Sequence, residues 1–461
     1  MEQPIPTPTD VVAQRVLIAR RAAEITFRRP LAYLRRLRRW RTGRFPRPLI
    51  FLTFLGPGLI AANAGNDAGA VATWSSVGAR YGYGLLWALV LVSVALAVVQ
   101  EMCARMGAAT GEGLSDLIRE RFGVRGAAFA MTTLFFANVL ITISEFAGIA
   151  AACELVGVSK YITVPLAAVG IWLIVTRGSY DRVEKIFLFM AFAFFAYPVA
   201  AILAHPNWGD VLHNTVVPTI HLNATWFQLL VGAVGTTITP YMQLYIQSSV
   251  AEKGVQMEDY GAERLETYGG SLFAALVVAS IVIATGATVF VASHGAGVQI
   301  NDATQAAQAL VPFLGQYAPI LFMVGLLGAS LLAAAVVPLA TAYSVCESFG
   351  FERGVSHSFR EAPIFQGLFT GMIIVGAIVA LIPGLPLIAL IVVAQIVNGM
   401  LLPILLVFIL RLVNDRRIMG KYVNNTTQNI IAWGITVVLS LLSFIMILSI
   451  ILPAVGIPFL Q

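Results

Sequence analysis

The chain has 461 residues, 58% of them hydrophobic and only 11% charged, with mean hydropathy +0.84. A soluble domain carries about 25% charged residues, and no soluble core buries this much apolar surface, so the composition excludes a soluble globular chain and indicates a polytopic membrane protein. The net charge of +6 joins two unlike parts: residues 1–47 hold twelve arginines against Glu2, Asp10 and Glu24, a balance of +9, which leaves −3 for the remainder.

The arginine-rich arm reads as a cytoplasmic tail near anionic lipid headgroups; nucleic acid is the weaker alternative and is not expected as a partner. Cys103, Cys153 and Cys346 stand singly in apolar segments and form neither a disulfide framework nor a metal motif. No cleavable signal peptide is visible, so the first apolar run is expected to remain as a span.

Apolar windows of about 20 residues predict eleven spans, near residues 50–75, 82–108, 126–156, 160–176, 184–204, 226–250, 270–293, 316–347, 363–383, 385–411 and 428–452. With the tail inside, 27 of the 29 basic residues fall on the inner side, and only Arg80 and Lys160 fall outside. The positive-inside rule demands such an asymmetry, which puts the N-terminus inside and the C-terminus outside. Glu101 is expected to pair with Arg105 one turn on. The outer loop near 205–226 holds His205, His213 and His221, whose eight-residue spacing gives no i, i+3 or i, i+4 pair. They read as ordinary loop histidines rather than a metal site. The acidic inner loop 251–268 reads as a solvated connection, and Glu347, near the cytoplasmic end of span eight, as solvated too.

Two spans are interrupted. Span one contains GPGLIAANAGNDAGA, with Gly56, Pro57, Gly58, Gly65 and Gly69; span six contains GAVGTTITPY, with Gly232, Gly235 and Pro240. These residues weaken a helix near its middle. The two spans open equivalent five-span blocks, and because five is odd the second block is inverted. Matching breaks in inverted halves point to a secondary transporter with its site at the midplane. Irregular backbone is tolerated there only where it is buried in protein or lines a cavity. Asp67 lies in the first break with no opposite charge beside it in the sequence, and a lone aspartate at mid-bilayer costs about 2.5–3.5 kcal/mol. Either a bound cation supplies the missing charge, or a protonated Asp67 caps the second half-helix. Capping does not exclude cation binding.

Around NDAGA the chain resembles the Nramp family of divalent-metal transporters, whose first helix carries Asp-Pro-Gly-Asn after a Gly-Pro-Gly start. Here the spacing from Gly56-Pro57-Gly58 is kept and the motif reads Asp67-Ala68-Gly69-Ala70. The likeness continues through QEMCARMGAATG in span two, Glu145 in span three, Gln395 and Pro403 in span ten and IMGKYVN (Ile418–Asn424), covering nearly everything from 50 to 452. It implies an all-α polytopic membrane protein of LeuT-type fold, with two inverted five-helix repeats and broken helices one and six. The chain then divides into the tail 1–47, a first repeat 48–204, a second repeat 205–411 with its preceding outer loop, and helix eleven with the C-terminus, 412–461. The resemblance further implies a transporter rather than an enzyme, in the bacterial cytoplasmic membrane, with divalent ions as substrate and no separate cofactor.

The departures from the family carry the chemistry. The family's first-helix asparagine, a metal ligand, is Ala70 here. Its sixth-helix Ala-x-x-Met-Pro-His, whose alanine carbonyl and methionine sulfur are ligands, reads Thr236-Thr237-Ile238-Thr239-Pro240-Tyr241. A thioether selects transition metals over Mg2+ and Ca2+. Without it the resemblance leaves an oxygen-only metal set: the Asp67 carboxylate, the Thr236 carbonyl and the Thr239 hydroxyl. Ala70 and Thr239 are also smaller than asparagine and methionine, which widens the pocket. Mg2+ sheds water reluctantly and suits a roomy site with one carboxylate. The pattern resembles the Nramp-related magnesium transporters, a bacterial branch altered at these positions; Mn2+ is expected to remain a substrate.

Nramp transporters carry protons through an Asp-x-x-Glu pair in span three and basic groups in spans six and nine. Here the pair reads Thr142-Ile143-Ser144-Glu145, the histidine is Tyr241, and span nine, IFQGLFTGMIIVGAIVALIPG, has no arginine. Uncoupled transport is therefore expected. Gln395 and Asn398, three apart on one face of span ten, either hydrogen-bond metal-bound waters or tie helices together. The Tyr241 hydroxyl is placed to reach the hydration shell. Rivals are a proton-coupled Mn2+/Fe2+ transporter of the usual Nramp type, an amino-acid transporter on the same fold, whose substrate carboxylate Asp67 would repel, and a metal-sensing membrane receptor, for which no soluble signalling domain is evident.

Overall fold

The computed structural model of the protein describes residues 65–177, 195–252, 254–258, 260–300, 318–355 and 357–454. The arginine-rich tail, the Gly56-Pro57-Gly58 start of span one and most of span five lie outside the described residues. The described elements are helical: α1 (Ala68–Tyr81), α2 (Leu86–Thr110), α3 (Leu114–Glu154), α4 (Lys160–Arg177), α5 (Ala196–Leu203), α6 (Trp208–Val216), α7 (Ala224–Thr237), α8 (Pro240–Glu252), α9 (Tyr260–Thr285), α10 (Ala318–Phe349), α11 (Pro363–Ala380), α12 (Leu387–Val413), α13 (Arg416–Met419) and α14 (Thr426–Ala454). A π-turn, Gly286–Phe290, extends α9.

Among the described residues nine helices are long and apolar enough to cross a bilayer, with α7 and α8 counted as one. α1 and α5 are the described parts of the two further expected spans. The 41-residue α3 is bent at Gly123, whose φ of 70° suits glycine. This separates its first turns, which include the buried Leu114, Ser115, Leu117 and Ile118, from the span expected at 126–156.

α3 packs along α10 and α12, α7 lies against α12, and α8 and α9 lie against α2; α1 threads among α3, α7, α9 and α12. α7 and α12 approach each other closely. A Cβ on Gly235 would overlap the Gln395 carbonyl and the Gly399 amide, and a Cβ on Gly399 would overlap the Val231 carbonyl. Small residues let the two backbones touch.

Three expectations for the connections are corrected. The 205–226 segment contains a helix, α6, started by Asn207, whose side chain accepts from the Gly209 amide at 3.0 Å. The 251–268 segment is not simply solvated: α9 begins at Tyr260, and Glu263 and Thr267 are buried. The cause is polar packing on α2, where Tyr260 donates to Glu101 Oε1 at 2.8 Å. Glu101 also pairs with Arg105 at 3.3 Å, as expected. Arg105 reaches on to the Tyr422 carbonyl and the Asn424 side chain, folding the IMGKYVN segment onto α2. Glu347 is buried rather than solvated. It accepts from Ser115 at 2.6 Å and from Ser248 at 3.3 Å, and lies 3.5 Å from Arg353, because the start of α3 and the end of α8 close over it.

Candidate functional site

Asp67 directly precedes α1 with extended backbone (φ −73°, ψ −175°), and its Oδ1 accepts from the Ala70 amide at 2.8 Å. This is N-capping. Thr236 Oγ1, near the end of α7, donates to the same oxygen at 3.3 Å. Oδ2 is buried with no hydrogen-bond partner. One oxygen therefore serves the helix and the other is free, so capping leaves an acceptor open in the same side chain.

Glu145, expected only as a remnant of a proton path, lies at the same helix end. Its Oε2 accepts from the Ala68 amide at 3.1 Å and its Oε1 from Ser144 at 3.2 Å. Two fully buried carboxylates thus crown the start of α1. The free amides and the positive end of the helix dipole favour negative charge there. The dipole supplies only about half a unit charge, and neither carboxylate has an ion-pair partner among the described residues. Two such groups in an apolar bundle need protons or a cation. A single divalent ion balances both.

Pro240 builds the other half of the site. In an unbroken helix residue 240 would donate to carbonyl 236, but proline has no N–H, so the Thr236 carbonyl loses that donor. The neighbouring Gly235 carbonyl is taken by Asn398 Nδ2 at 2.7 Å. Asn398 therefore ties span ten to the break in span six. Gln395 sits one turn away on the same helix with neither amide atom partnered. A Cβ on Gly69 would overlap its Nε2 and lie 2.6 Å from its Cγ, so Gln395 rests directly on the start of α1. Thr239 Oγ1 is buried and unpartnered as well.

Buried polar atoms are unpaired in only a few cases per hundred residues. Here Asp67 Oδ2, Thr239 Oγ1, Gln395 Oε1 and Asn398 Oδ1 are unpaired around two facing helix breaks. These are hard oxygen donors, the ligand class of Mg2+ and Mn2+. No group of three His, Cys, Asp or Glu able to hold a metal occurs among the described residues, so the loop histidines do not converge. His221 instead stacks on Tyr81, with ring centroids 5.2 Å apart.

The remaining expected positions fall as follows. Ala70 is buried and contributes its amide to the cap. Tyr241 is fully buried in the first turn of α8. Thr142 donates to the Asn138 carbonyl of its own helix at 2.7 Å, and its methyl would lie 3.0 Å from a Cβ on Gly376 of α11. The role missed in the sequence is Glu145 at the α1 terminus. Its one available signal was a carboxylate in the middle of an apolar span.

Comparisons with known proteins bear on the family and the fold. The chain matches the Nramp family (natural resistance-associated macrophage protein-like) over residues 58–449. It is 31% identical over 403 residues to the divalent metal cation transporter MntH 1 of Pseudomonas aeruginosa, covering 83% of this chain and 88% of that protein. It is 28% identical over 399 residues to the divalent metal cation transporter MntH of Deinococcus radiodurans, covering 84% and 88%. Among solved structures, the manganese transporter of Eremococcus coleocola superposes with a TM-score of 0.64 at 19% identity over 86% of each chain. Mhp1, a nucleobase-cation-symport-1 family transporter, gives 0.52 at 15% identity over 87% of this chain and 92% of that one. The fold is thus the LeuT type, and the match along most of its length shows that the chain belongs to the Nramp family.

Proposed function

We propose that the protein transports divalent cations by alternating access, that partly hydrated Mg2+ is its substrate with Mn2+ carried as well, and that no proton is coupled. The observation that carries this reading is the donor set. Where the family presents a sulfur, Thr239 presents an unpartnered oxygen, and Asp67, bonded to Thr236 three residues before Thr239, keeps an unpartnered Oδ2. Asp67, the Thr236 carbonyl and Thr239 would hold the ion directly. Gln395, Asn398 and Tyr241 would meet its waters, which Mg2+ retains in most protein sites. Glu145 supplies a second negative charge at the same helix terminus.

Thr142 spends its hydroxyl on its own helix and faces a glycine in span nine, and a hydroxyl does not take up a proton as the family's aspartate would, which supports this reading. The membrane potential suffices as a driving force, about 4.6 kcal/mol per 100 mV for a divalent ion. In this reading the repeats 48–204 and 205–411 move against each other, the N-terminus is cytoplasmic, and the arginine arm lies on anionic lipid.

One observation favours a second reading, the proton-coupled Mn2+ transporter. Asp67 and Glu145 share one helix end, and a proton could replace the ion there. Uptake into proteoliposomes under an imposed potential, with a pH dye inside, separates the two. Mg2+ entry without acidification is expected. Entry of Mn2+ alone, with acidification, would overturn the proposal.

A further inference from the structure

Below the break, Thr239 and two glutamines of α8 form an arrangement of which the site described above uses only the first member. Thr239, Gln243 and Gln247 follow one another at four-residue intervals, which puts them on one face at about 6 Å per step. All three are fully buried, and each holds an oxygen with no partner: Thr239 Oγ1, Gln243 Oε1 and Gln247 Oε1. The amide orientations are fixed by chemistry. Gln243 Nε2 donates to the Thr239 carbonyl at 3.4 Å and Gln247 Nε2 to the Glu112 carbonyl at 3.1 Å. A carbonyl only accepts, so each nitrogen must face it and each oxygen is left free.

The row begins at the ion site and ends about 12 Å along the helix, beside Glu112 in the turn between α2 and α3. The charge pattern makes that side cytoplasmic. One residue further, Ser248 donates to the buried Glu347. Native proteins pair their buried polar atoms, and leucine would fill each of these places without an orphan.

We infer that Thr239, Gln243 and Gln247 form a row of outer-sphere sites along which a hydrated divalent cation leaves the centre for the cytoplasm. The inference rests on the reading above and deepens it. Waters bound to a cation are hydrogen-bond donors, and free amide oxygens are the acceptors they need. Neutral oxygens hold the ion weakly and at several points, as rapid passage requires. Glu347, paired with Arg353 at 3.5 Å, lies at the far end of the row. The row is covered in this structure, so passage requires α8 to part from its neighbours. The bonds Gln247–Glu112 and Ser248–Glu347 keep it closed.

The test uses full-length protein in proteoliposomes, with wild type, Gln243→Met, Gln247→Met and the double variant each assayed for Mg2+ and for Mn2+. Methionine keeps length and apolar volume but removes the strong acceptor. Mg2+ keeps its waters more firmly than Mn2+, so the double variant is expected to lose about tenfold in maximal Mg2+ rate and less than about threefold in Mn2+ rate. Gln243→Met alone leaves the Gln247 bond to Glu112 intact and is expected to show the same bias in smaller measure. Wild-type protein that carries no Mg2+ would overturn the reading of the site itself. Wild-type Mg2+ transport with variants that slow both ions equally, or neither, would overturn the row alone.

Discussion

Replacing Asp67 by asparagine separates the two duties of its carboxylate. Oδ1 caps α1 through Ala70 and receives Thr236, while Oδ2 has no partner. Asparagine caps as well as aspartate, and the cap, worth about 1 kcal/mol, is retained. Without an ion, the neutral side chain also escapes the burial cost of a charge, about 2.5–3.5 kcal/mol at mid-bilayer, against a dipole attraction of about 0.3–1 kcal/mol. The ion-free variant is therefore expected to unfold at or above the wild-type temperature. Binding moves the other way: removing one partner of a buried charged pair costs about 3–5 kcal/mol, roughly 150- to 5,000-fold in affinity. The assay is the concentration dependence of Mg2+ uptake in proteoliposomes, with thermal unfolding of the same protein in chelator. Half-saturation within threefold of wild type would show that Oδ2 does not hold the ion. Lost thermal stability with intact binding would show that the charge serves α1 instead.

Three other experiments probe the same surroundings. Ala70→Asn with Thr239→Met restores the family's amide and sulfur and is expected to shift preference toward Mn2+ over Mg2+ at least about tenfold; competition uptake that leaves the ratio unchanged would remove both positions from selectivity. Gly69→Ala gains about 0.8–1 kcal/mol of helix propensity but overlaps Gln395, and overpacking costs about 1–3 kcal/mol, so a lower unfolding temperature is expected. Gln395→Ala in the same chain should recover it, and strictly additive effects would contradict the contact. Asn398→Leu leaves the Gly235 carbonyl buried without a donor and is expected to cost about 1–3 kcal/mol in unfolding free energy; a loss under about 0.5 kcal/mol would mean that water replaces the amide.

The bundle was readable in the sequence because hydrophobic length and charge asymmetry are strong, local signals. Each apolar window coincides with a described helix or part of one, and Pro240 marks the second break to the residue. The proposed ligand positions Asp67, Thr236 and Thr239 were reached by motif, and the Thr236 hydroxyl meets Asp67 directly. Glu145 was misjudged because its partner, the Ala68 amide, lies 77 residues away, and no periodicity encodes which helix end a mid-span carboxylate meets. Glu347 and Glu263 were read as solvated for a related reason. Acidic residues at helix ends are usually wet, and only the assembled bundle closes over them. Between the two roles open to Gln395 and Asn398 the sequence could not choose; in the bundle Asn398 ties α12 to the Gly235 carbonyl with its Oδ1 left unpartnered, and neither amide atom of Gln395 has a partner.

The contact of Gly235 with Gly399, reinforced by Asn398, joins α7 to α12 as one stiff piece right up to the break. Any swing of α8 must then be taken up as torsion in Ile238 and Thr239, the two residues between the helices. Thr239 is also a proposed ligand. The hinge and the grip are thus the same residue: an ion held there would stiffen the joint on which its own release depends, and letting go would free the lever that opens the way out.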